Sequence, residues 1–409
     1  MPPHCAHSHG RKRAQSFPCD DSAHPGPRLP CQMIAIAMCA VAVSCTPNVR
    51  SDDAQSQSRV SNLVIATIDG LRWREVFEGA DLQLLKADKE KPWKIARAVE
   101  RFWRESKEAR RAALLPFIWR TVGRDAHWFG NIASGNDAKA LNATGSSYPS
   151  YHELLTGFVD ARIRSNARVR NPNRTVLEWL ASRPGFSTRV AAFCSWDAFQ
   201  FILDDDRGSL FINAGRQELA LEAASSRLSM FNFLQAETNH PDLTVRHDAF
   251  TSAAALEYVK AKRPRVLYLS LGETDEFAHE GKYGRYLDAA SRWDRAIGLL
   301  WNELQSDSQY RDRTALILAT DHGRGENEQW VTHGRDIPGA ENVWIAVYSP
   351  DSSPGADPPE ARKVTLGQVA ATAAALLGED YLANVPKAAP PLPGVLMQTA
   401  PPSHARFLR

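Results

Sequence analysis

Charged side chains that could perform metal chemistry follow three apolar runs of the sequence. Asp69 comes directly after the first run, and Asp321 and His322 come together directly after another. A third run leads to Asp275 and His279, which are four residues apart. An acid after a strand is more often a turn or cap residue than a ligand, but an adjacent Asp-His pair is rarer because burying both groups needs compensation. Ligands in open α/β sheets bind outside the carboxyl ends of the strands, so these groups are predicted to share one crevice.

A serine stands just before a predicted helix. Residues 145–157 favour a loop, a helix started by Pro149 and a stop at Gly157. Ser147 then lies where free backbone N–H groups favour an anion, which suits an alkoxide nucleophile and a phosphoryl group. The alternative is that Ser147 only caps the helix. His333 adds an imidazole in a later loop.

The elements that must position these residues alternate along the chain. Short apolar and β-branched runs predict buried strands, and the stretches between them have helical patterns. The clearest helix has an apolar stripe at 3.6-residue spacing, which packs one face on a sheet. This alternation predicts an α/β fold with a mostly parallel central sheet and helices on both faces. The predicted strands are residues 62–68, 189–194, 266–271, 315–320 and 343–348, and the stripe runs from Tyr286 to Leu304.

The N-terminal segment has the features of an export signal. Residues 33–44 form an apolar run that is too short to span a bilayer and has basic residues upstream. The run ends at Cys45 in a sequence that resembles a bacterial lipoprotein box, which would make Cys45 a lipidated membrane tether. Ordinary cleavage is an alternative, and so is initiation at Met33. We expect an exported protein, either periplasmic or an outer-membrane lipoprotein of a bacterium.

The predicted organisation has four parts. Residues 1–44 are the leader, residues 45–60 are a polar tether, and residues 61–383 are the α/β domain. Within that domain, residues 82–130 are rich in Lys, Arg and Trp and are predicted to be a helical insertion or cap without a strand. The Pro-rich stretch 384–409 is predicted to be an irregular tail.

Charge and cysteine content exclude other classes of protein. The 409 residues include 49 Lys and Arg and 47 Asp and Glu, and the whole of this small basic excess lies in the leader. This balance gives no electrostatic footprint for nucleic-acid binding. Only Cys194 lies beyond residue 45, so metal sites in the folded body must use His, Asp and Glu.

The motifs together resemble those of the alkaline phosphatase superfamily, and most closely its nucleotide pyrophosphatase/phosphodiesterase branch. The order is the same: Asp-Gly after the first strand, Ser or Thr before a helix, Asp-x-x-x-His, Asp-His-Gly and a late His-Gly. Five motifs in one order are far more specific than any one alone. The resemblance spans roughly residues 62–378 and is clearest at 68–72, 274–284 and 320–324.

The resemblance implies a hydrolase with two divalent metal ions and Ser147 as the nucleophile. Zn²⁺ suits the mixed carboxylate and imidazole ligands, and Mn²⁺ is the alternative. Two cations about 4 Å apart stabilise both the attacking and the leaving oxygen of an in-line displacement. The implied ligands are Asp275, His279 and His333 for one ion, and Asp69, Asp321 and His322 for the other.

The implied substrate is a small-molecule phosphate ester that is cleaved through a phospho-Ser147 intermediate. A phosphodiester, a pyrophosphate and a phosphomonoester are all compatible with the motifs. Asn166 and Asn171 are candidates for binding a phosphoryl oxygen, and Arg324 follows the Asp-His-Gly motif closely enough to face the site.

Two other functions remain as alternatives. The chain could be a sulfatase-like or phosphotransferase member of the same superfamily, although Tyr151 stands where a sulfatase needs Arg. It could also be a non-catalytic surface protein that is stabilised by metal and binds a ligand or partner.

Overall fold

The computed structural model describes residues 59–221, 226–239, 244–351 and 363–396. These residues all belong to one compact unit that spans residues 56–409. The predicted leader, Cys45 and almost all of the predicted tether lie outside the described residues. Among the described residues, no helix combines the length and the apolar character needed to cross a membrane.

A seven-stranded sheet forms the centre of the unit, with the strand order β2-β8-β7-β1-β6-β4-β5. All neighbours pair in parallel except β8, which is antiparallel to both β7 and β2. A separate two-stranded parallel sheet pairs β3 with β9. The strands are β1 Asn62–Ile68, β2 His127–Phe129, β3 Asp137–Lys139, β4 Val190–Cys194, β5 Phe211–Ala214, β6 Val266–Leu271, β7 Thr314–Thr320, β8 Ile345–Tyr348 and β9 Lys363–Thr365.

Helices occupy most of the connections between the strands. The α-helices are α1 Trp73–Phe77, α2 Leu82–Ala87, α3 Pro92–Phe102, α4 Lys107–Leu114, α5 Pro116–Arg120, α6 Ser147–Thr156, α7 Val176–Ala181, α8 Phe199–Ile202, α9 Ser226–Glu237, α10 Asp248–Lys262, α11 Glu273–His279, α12 Tyr283–Ser306 and α13 Gln368–Leu376. Short 3₁₀ turns occur at Val122–Arg124, Ile132–Ser134, Asp205–Arg207 and Asn327–Val331.

The hydrophobic core has two halves, one on each face of the sheet. Side chains alternate between the faces along a strand. In β1, Leu63 and Ile65 accordingly join the half beneath α6, α7 and α13. Val64 and Ala66 join the half beneath α10 and α12. The predicted α/β fold with helices on both faces is therefore confirmed, and the predicted stripe on α12 is buried in the second half.

The segment 82–130 differs from its prediction in one respect. It contains four α-helices, but residues 127–129 form β2, which pairs with β8 at one end of the sheet. Three residues are too few to show a strand pattern in the sequence, which explains why β2 was not predicted. The helices α3 and α5 pack against α12, so they extend the helical layer on the face of the sheet that α10 and α12 cover.

The predicted tail packs on the domain where the structure describes it. Residues 384–396 contain turns and no helix or strand, as expected for a Pro-rich stretch. However, Leu392 and Val395 are buried in the same core as β1. The backbone N–H of Leu392 donates to Thr372 Oγ1 at 2.8 Å. The packed core therefore extends past the predicted boundary at residue 383.

Candidate active site

The carboxyl ends of three adjacent strands bring the predicted ligands together. β1 lies between β6 and β7, and all three run parallel. The N–H of Asp69 donates to the carbonyl of Leu271 at 3.0 Å, and the N–H of Gly70 donates to Asp321 Oδ1 at 3.0 Å. Gly70 has a φ of +60°, and a Cβ there would lie only 2.9 Å from Asp275 Oδ1. A glycine is thus required where these strand ends meet.

One cluster of potential ligands surrounds the imidazole of His322. Its Nε2 lies 3.3 Å from Asp69 Oδ1 and 3.4 Å from Asp321 Oδ2. All three side chains are buried. Neither of these carboxylate oxygens accepts a hydrogen bond within the described part of the chain. Buried acceptors without a donor are costly, so this arrangement fits a bound cation.

A second cluster adjoins the first. His279 Nε2 lies 3.2 Å from Asp275 Oδ2 and 3.1 Å from His333 Nε2. The ring of His333 stacks on that of His322 with the centroids 3.8 Å apart. The ligand atoms of Asp275, His322 and His333 lie within 4.8 Å of one another, as do those of Asp69, Asp321 and His322. The structure therefore brings all six predicted ligands to one place.

Backbone carbonyls orient two of the imidazoles. His322 Nδ1 donates to the carbonyl of Gly323 at 2.9 Å, and His333 Nδ1 donates to the carbonyl of Gly145 at 2.7 Å. In the neutral ring, each Nε2 then carries a lone pair directed at the carboxylates. A donated Nδ1–H of this kind is the usual support of a histidine metal ligand.

The pKa values of the cluster show how strongly its charges interact. Burial and the charge of Asp69 raise the pKa of Asp321 to about 8. Burial lowers the pKa of His322, but the carboxylates of Asp321 and Asp69 outweigh it and raise this pKa to about 9. Burial and the charge of His322 lower the pKa of His333 to about 2. Without metal the cluster retains protons, and a divalent cation would compete for the same lone pairs.

Ser147 lies beside the first cluster at the start of α6. The helix begins at Ser147, two residues earlier than predicted, and Ser146 is its N-cap residue. Ser147 Oγ is buried and lies 3.3 Å from His322 Nε2. The sequence left open whether Ser147 only caps the helix, and in the structure its hydroxyl faces the cluster instead.

Buried polar contacts hold α6 in place. The carboxylate of Glu153 accepts the N–H groups of Leu141 at 2.8 Å and Asn142 at 2.9 Å. The Asn142 amide also donates to Ser150 Oγ at 2.9 Å. The helix ends at Gly157, whose φ of 86° is the left-handed conformation of a helix stop. These contacts fix Ser147 relative to the sheet.

The predicted substrate contacts have different outcomes. Asn166 Oδ1 accepts the N–H of Tyr148 at 2.9 Å, which places Asn166 at the N-terminus of α6. Asn171 is buried and donates to the carbonyl of Ile202 at 3.0 Å, so the structure does not direct it to the clusters. Arg324 is also buried and contacts Asp275 and Gly70, so its side chain supports the ligands and does not face open space.

Two supporting residues were not predicted from the sequence. Tyr151 Oη donates to Asp69 Oδ2 at 3.1 Å, and Thr274 Oγ1 donates to the carbonyl of Asp69 at 2.5 Å. Tyr151 lies four residues after Ser147, on the same face of α6. That spacing was the available signal for its role.

The fold and the site define a class of protein. A mostly parallel sheet with two layers of helices, and Asp and His clusters beside a helix-start serine at its carboxyl edge, are the features expected of the alkaline phosphatase superfamily. Residues 64–393 match the family model described as type I phosphodiesterase / nucleotide pyrophosphatase. The chain therefore belongs to this family, and the predicted resemblance is confirmed.

The chain is similar to solved structures of low sequence identity. The lipoteichoic acid synthase LtaP from Listeria monocytogenes has 12% identity and a TM-score of 0.50, over 78% of this chain and 72% of that one. A phosphonate monoester hydrolase of Agrobacterium radiobacter has 14% identity and a TM-score of 0.48, over 78% and 74%. No curated protein matches the chain. Family membership supports a phosphoester hydrolase within a metal-dependent superfamily.

Proposed function

We propose that this protein is a two-metal hydrolase of phosphoric esters that acts through a covalent intermediate on Ser147. The observation that supports this most is the position of Ser147 Oγ. It lies at the N-terminus of α6 and 3.3 Å from His322 Nε2, beside two buried carboxylates that each have one oxygen without a hydrogen-bond donor. A hydroxyl among such groups has no evident structural task, whereas it is suitably placed for nucleophilic attack.

The two clusters would hold the metal ions. Asp275, His279 and His333 would hold one ion, and Asp69, Asp321 and His322 would hold the other. Zn²⁺ suits this donor set, with Mn²⁺ as the alternative. When bound, the ions supply positive charge that lowers the pKa of the serine hydroxyl and stabilises the leaving oxygen.

The residues of the chain account for the remaining chemistry. Ser147 Oγ attacks phosphorus, so an Oγ–P bond forms while the bond to the ester oxygen breaks and the leaving group takes a proton. The backbone N–H of Ser147 at the start of α6 and the side-chain amide of Asn166, whose oxygen accepts the N–H of Tyr148, would bind a non-bridging oxygen. Water then cleaves the Oγ–P bond, and Ser147 regains its proton as the product leaves.

The substrate is proposed to be a phosphodiester or a pyrophosphate, with a phosphomonoester as the alternative. Family membership favours the first two. Sulfate-ester chemistry is less well supported. A sulfatase needs Arg at the position that Tyr151 occupies, and the Tyr151 hydroxyl here donates a hydrogen bond to Asp69.

The test compares Ser147→Ala with Ser146→Ala. Rates are measured on aryl phosphodiester, phosphomonoester and sulfate substrates, and metal content is measured on the same samples. We expect Ser147→Ala to lose at least about a thousandfold in rate and to keep its metal, because the nucleophile is the only group removed. Ser146, the matched neighbour, makes no side-chain cap bond, so its variant should be fully active.

Other outcomes would assign a different function. Unchanged turnover by Ser147→Ala would refute the proposed intermediate. Formylglycine at position 147, detected by mass spectrometry, would identify a sulfatase. Absence of turnover in a metal-loaded wild-type protein would favour the ligand-binding alternative.

A further inference from the structure

Arg324 is a buried cation beside the proposed ligands. Only 1% of its surface is exposed to solvent, and it lies two residues after His322 in the sequence. Its Nη2 forms an ion pair with Asp275 Oδ1 and donates to the carbonyl of Asp275 at 3.3 Å. Its Nε donates to the carbonyl of Gly70 at 3.2 Å. Burying a guanidinium is costly unless its interactions are good, so this placement calls for a reason.

The guanidinium joins three separate parts of the site. Its own backbone follows β7, Gly70 lies in the turn after β1, and Asp275 lies on α11. The approach to Gly70 is so close that a Cβ there would lie 2.9 Å from Arg324 Nε. The planar guanidinium has donors on separate nitrogens, so it binds a carbonyl on one segment through Nε and a carboxylate on another through Nη2.

The contact also divides the two oxygens of Asp275. Oδ1 binds Arg324 and lies 3.7 Å from His333 Nε2, and Oδ2 lies 3.2 Å from His279 Nε2. We propose that Arg324 is a positioning residue that fixes the carboxylate of Asp275 beside the imidazoles of His279 and His333, with which it would hold one cation. This inference rests on the metal site of the proposed function.

Positioning and simple charge repulsion predict opposite results for the loss of Arg324. A fixed positive charge near a metal site repels the metal, so its removal alone would strengthen metal binding. Loss of positioning would instead weaken it, because residues that orient metal ligands typically contribute 10- to 100-fold to affinity. The sign of the change therefore separates the two effects.

The experiment measures Zn²⁺ affinity by competition with a chromophoric chelator, and the visible spectrum of the Co²⁺-loaded protein. The variants are Arg324→Met, which removes the charge, and Arg324→Lys, which keeps the charge but replaces the fork of donors by a single nitrogen. Under the proposal both variants bind one of the two metal ions about 10- to 100-fold more weakly, and the Co²⁺ spectrum of that ion changes.

Arg246→Met is the matched control. Arg246 is equally buried, and it donates to Asn213 Oδ1 at 2.7 Å and to Gln235 Oε1 at 3.2 Å. Its loss removes a buried arginine without touching a proposed ligand, so its metal affinity should match the wild type. Thermal unfolding confirms that each variant is folded. If Arg324→Met does not fold, the measurement on Arg324→Lys still tests the proposal.

The possible results separate this inference from the proposed function. Unchanged or tighter binding by Arg324→Met, or wild-type binding by Arg324→Lys, would overturn the positioning role. A wild-type chain that binds no divalent metal would instead overturn the proposed metal site itself.

Discussion

At the residue scale, the site depends on which atom of each side chain faces the clusters. Two imidazoles present Nε2 because their Nδ1–H groups bond the carbonyls of Gly323 and Gly145. The residue types that supply ligands could be predicted from motifs that follow strands. Their orientation could not, because the carbonyl that orients His333 lies 188 residues away in the sequence.

Arg324 shows the same limit of sequence reasoning. Its position after Asp-His-Gly correctly placed it near the site, but it did not indicate whether the side chain faces substrate or ligand. Gly70 leaves room for the guanidinium, and Asp275 attracts it inward. A contact made with residues 254 and 49 positions away has no local signature.

The two predicted asparagines can be separated by experiment. We expect Asn166→Ala to lower kcat/KM about 10- to 100-fold, because it removes a polar group beside the N–H of Tyr148 where phosphoryl charge would develop. Asn171→Ala should lower thermal stability with little change in kcat/KM for the folded protein, because its amide bonds the carbonyl of Ile202. Equal losses of kcat/KM in the two variants would contradict this assignment.

At the element scale, the strands that lie in longer apolar runs were predictable and the others were not. β1, β4, β6, β7 and β8 coincide with predicted apolar runs, because strands buried on both faces are almost continuously apolar. The strands β2, β3, β5 and β9 have three or four residues each and do not lie in a predicted apolar run, whereas β8, which also has four residues, lies in the six-residue apolar run 343–348.

The helix α11, which carries two proposed ligands, is fixed by a buried carboxylate on another helix. Asp248, the first residue of α10, accepts the N–H groups of Gly272 at 2.9 Å and Glu273 at 3.0 Å. Ser195 Oγ donates to the same carboxylate at 2.6 Å. These bonds satisfy N–H groups that the start of a helix leaves free. The spacing of Asp275 and His279 predicted the ligands but not the aspartate that holds their helix.

Asp294 on α12 performs a similar task for α5. Its two carboxylate oxygens each accept an N–H at 2.9 Å, from Phe117 and from Ile118. Burial raises the pKa of Asp294 from 3.8 to about 6, although the two hydrogen bonds oppose the shift. A carboxyl with a raised pKa in the folded state stabilises the protein below pH 3.8, and this contribution is lost as the pH rises through 6.

Replacing Asp294 with Asn should remove that dependence on pH. Relative to the wild type, the free energy of unfolding of Asp294→Asn is expected to rise by about 2 kcal/mol between pH 4.5 and 7.5. Urea denaturation at several pH values measures it. Asp288→Asn, which removes a partly exposed carboxylate from the same helix, is the matched control. If the free energies of unfolding of the wild type and Asp294→Asn differed by a constant amount across this range, the raised pKa of Asp294 would be contradicted.

At the scale of the whole molecule, the site joins segments that are distant in the sequence. The six proposed ligands come from the ends of β1 and β7, from α11 and from the loop after the 3₁₀ turn Asn327–Val331. A parallel sheet makes this possible, because the carboxyl ends of its strands meet along one edge. The order of motifs therefore predicted both the fold and the ligand set, since the same topology determines them.

Metal removal should destabilise the whole domain, because the proposed ligands come from segments that are distant in the sequence. Asp69 and Asp321 are buried carboxyl groups that lie side by side, and the charge of Asp69 is one cause of the raised pKa of Asp321. Free metal at a hundred times its Kd adds about 2.7 kcal/mol of stability, which corresponds to roughly 5 °C in Tm. We expect a chelator at pH 7.5 to lower Tm by about that amount and Zn²⁺ to restore it. Asp321→Asn, which lacks one ligand, should respond less to both additions. A Tm that neither chelator nor Zn²⁺ changes would mean that the clusters are held together by their protons alone.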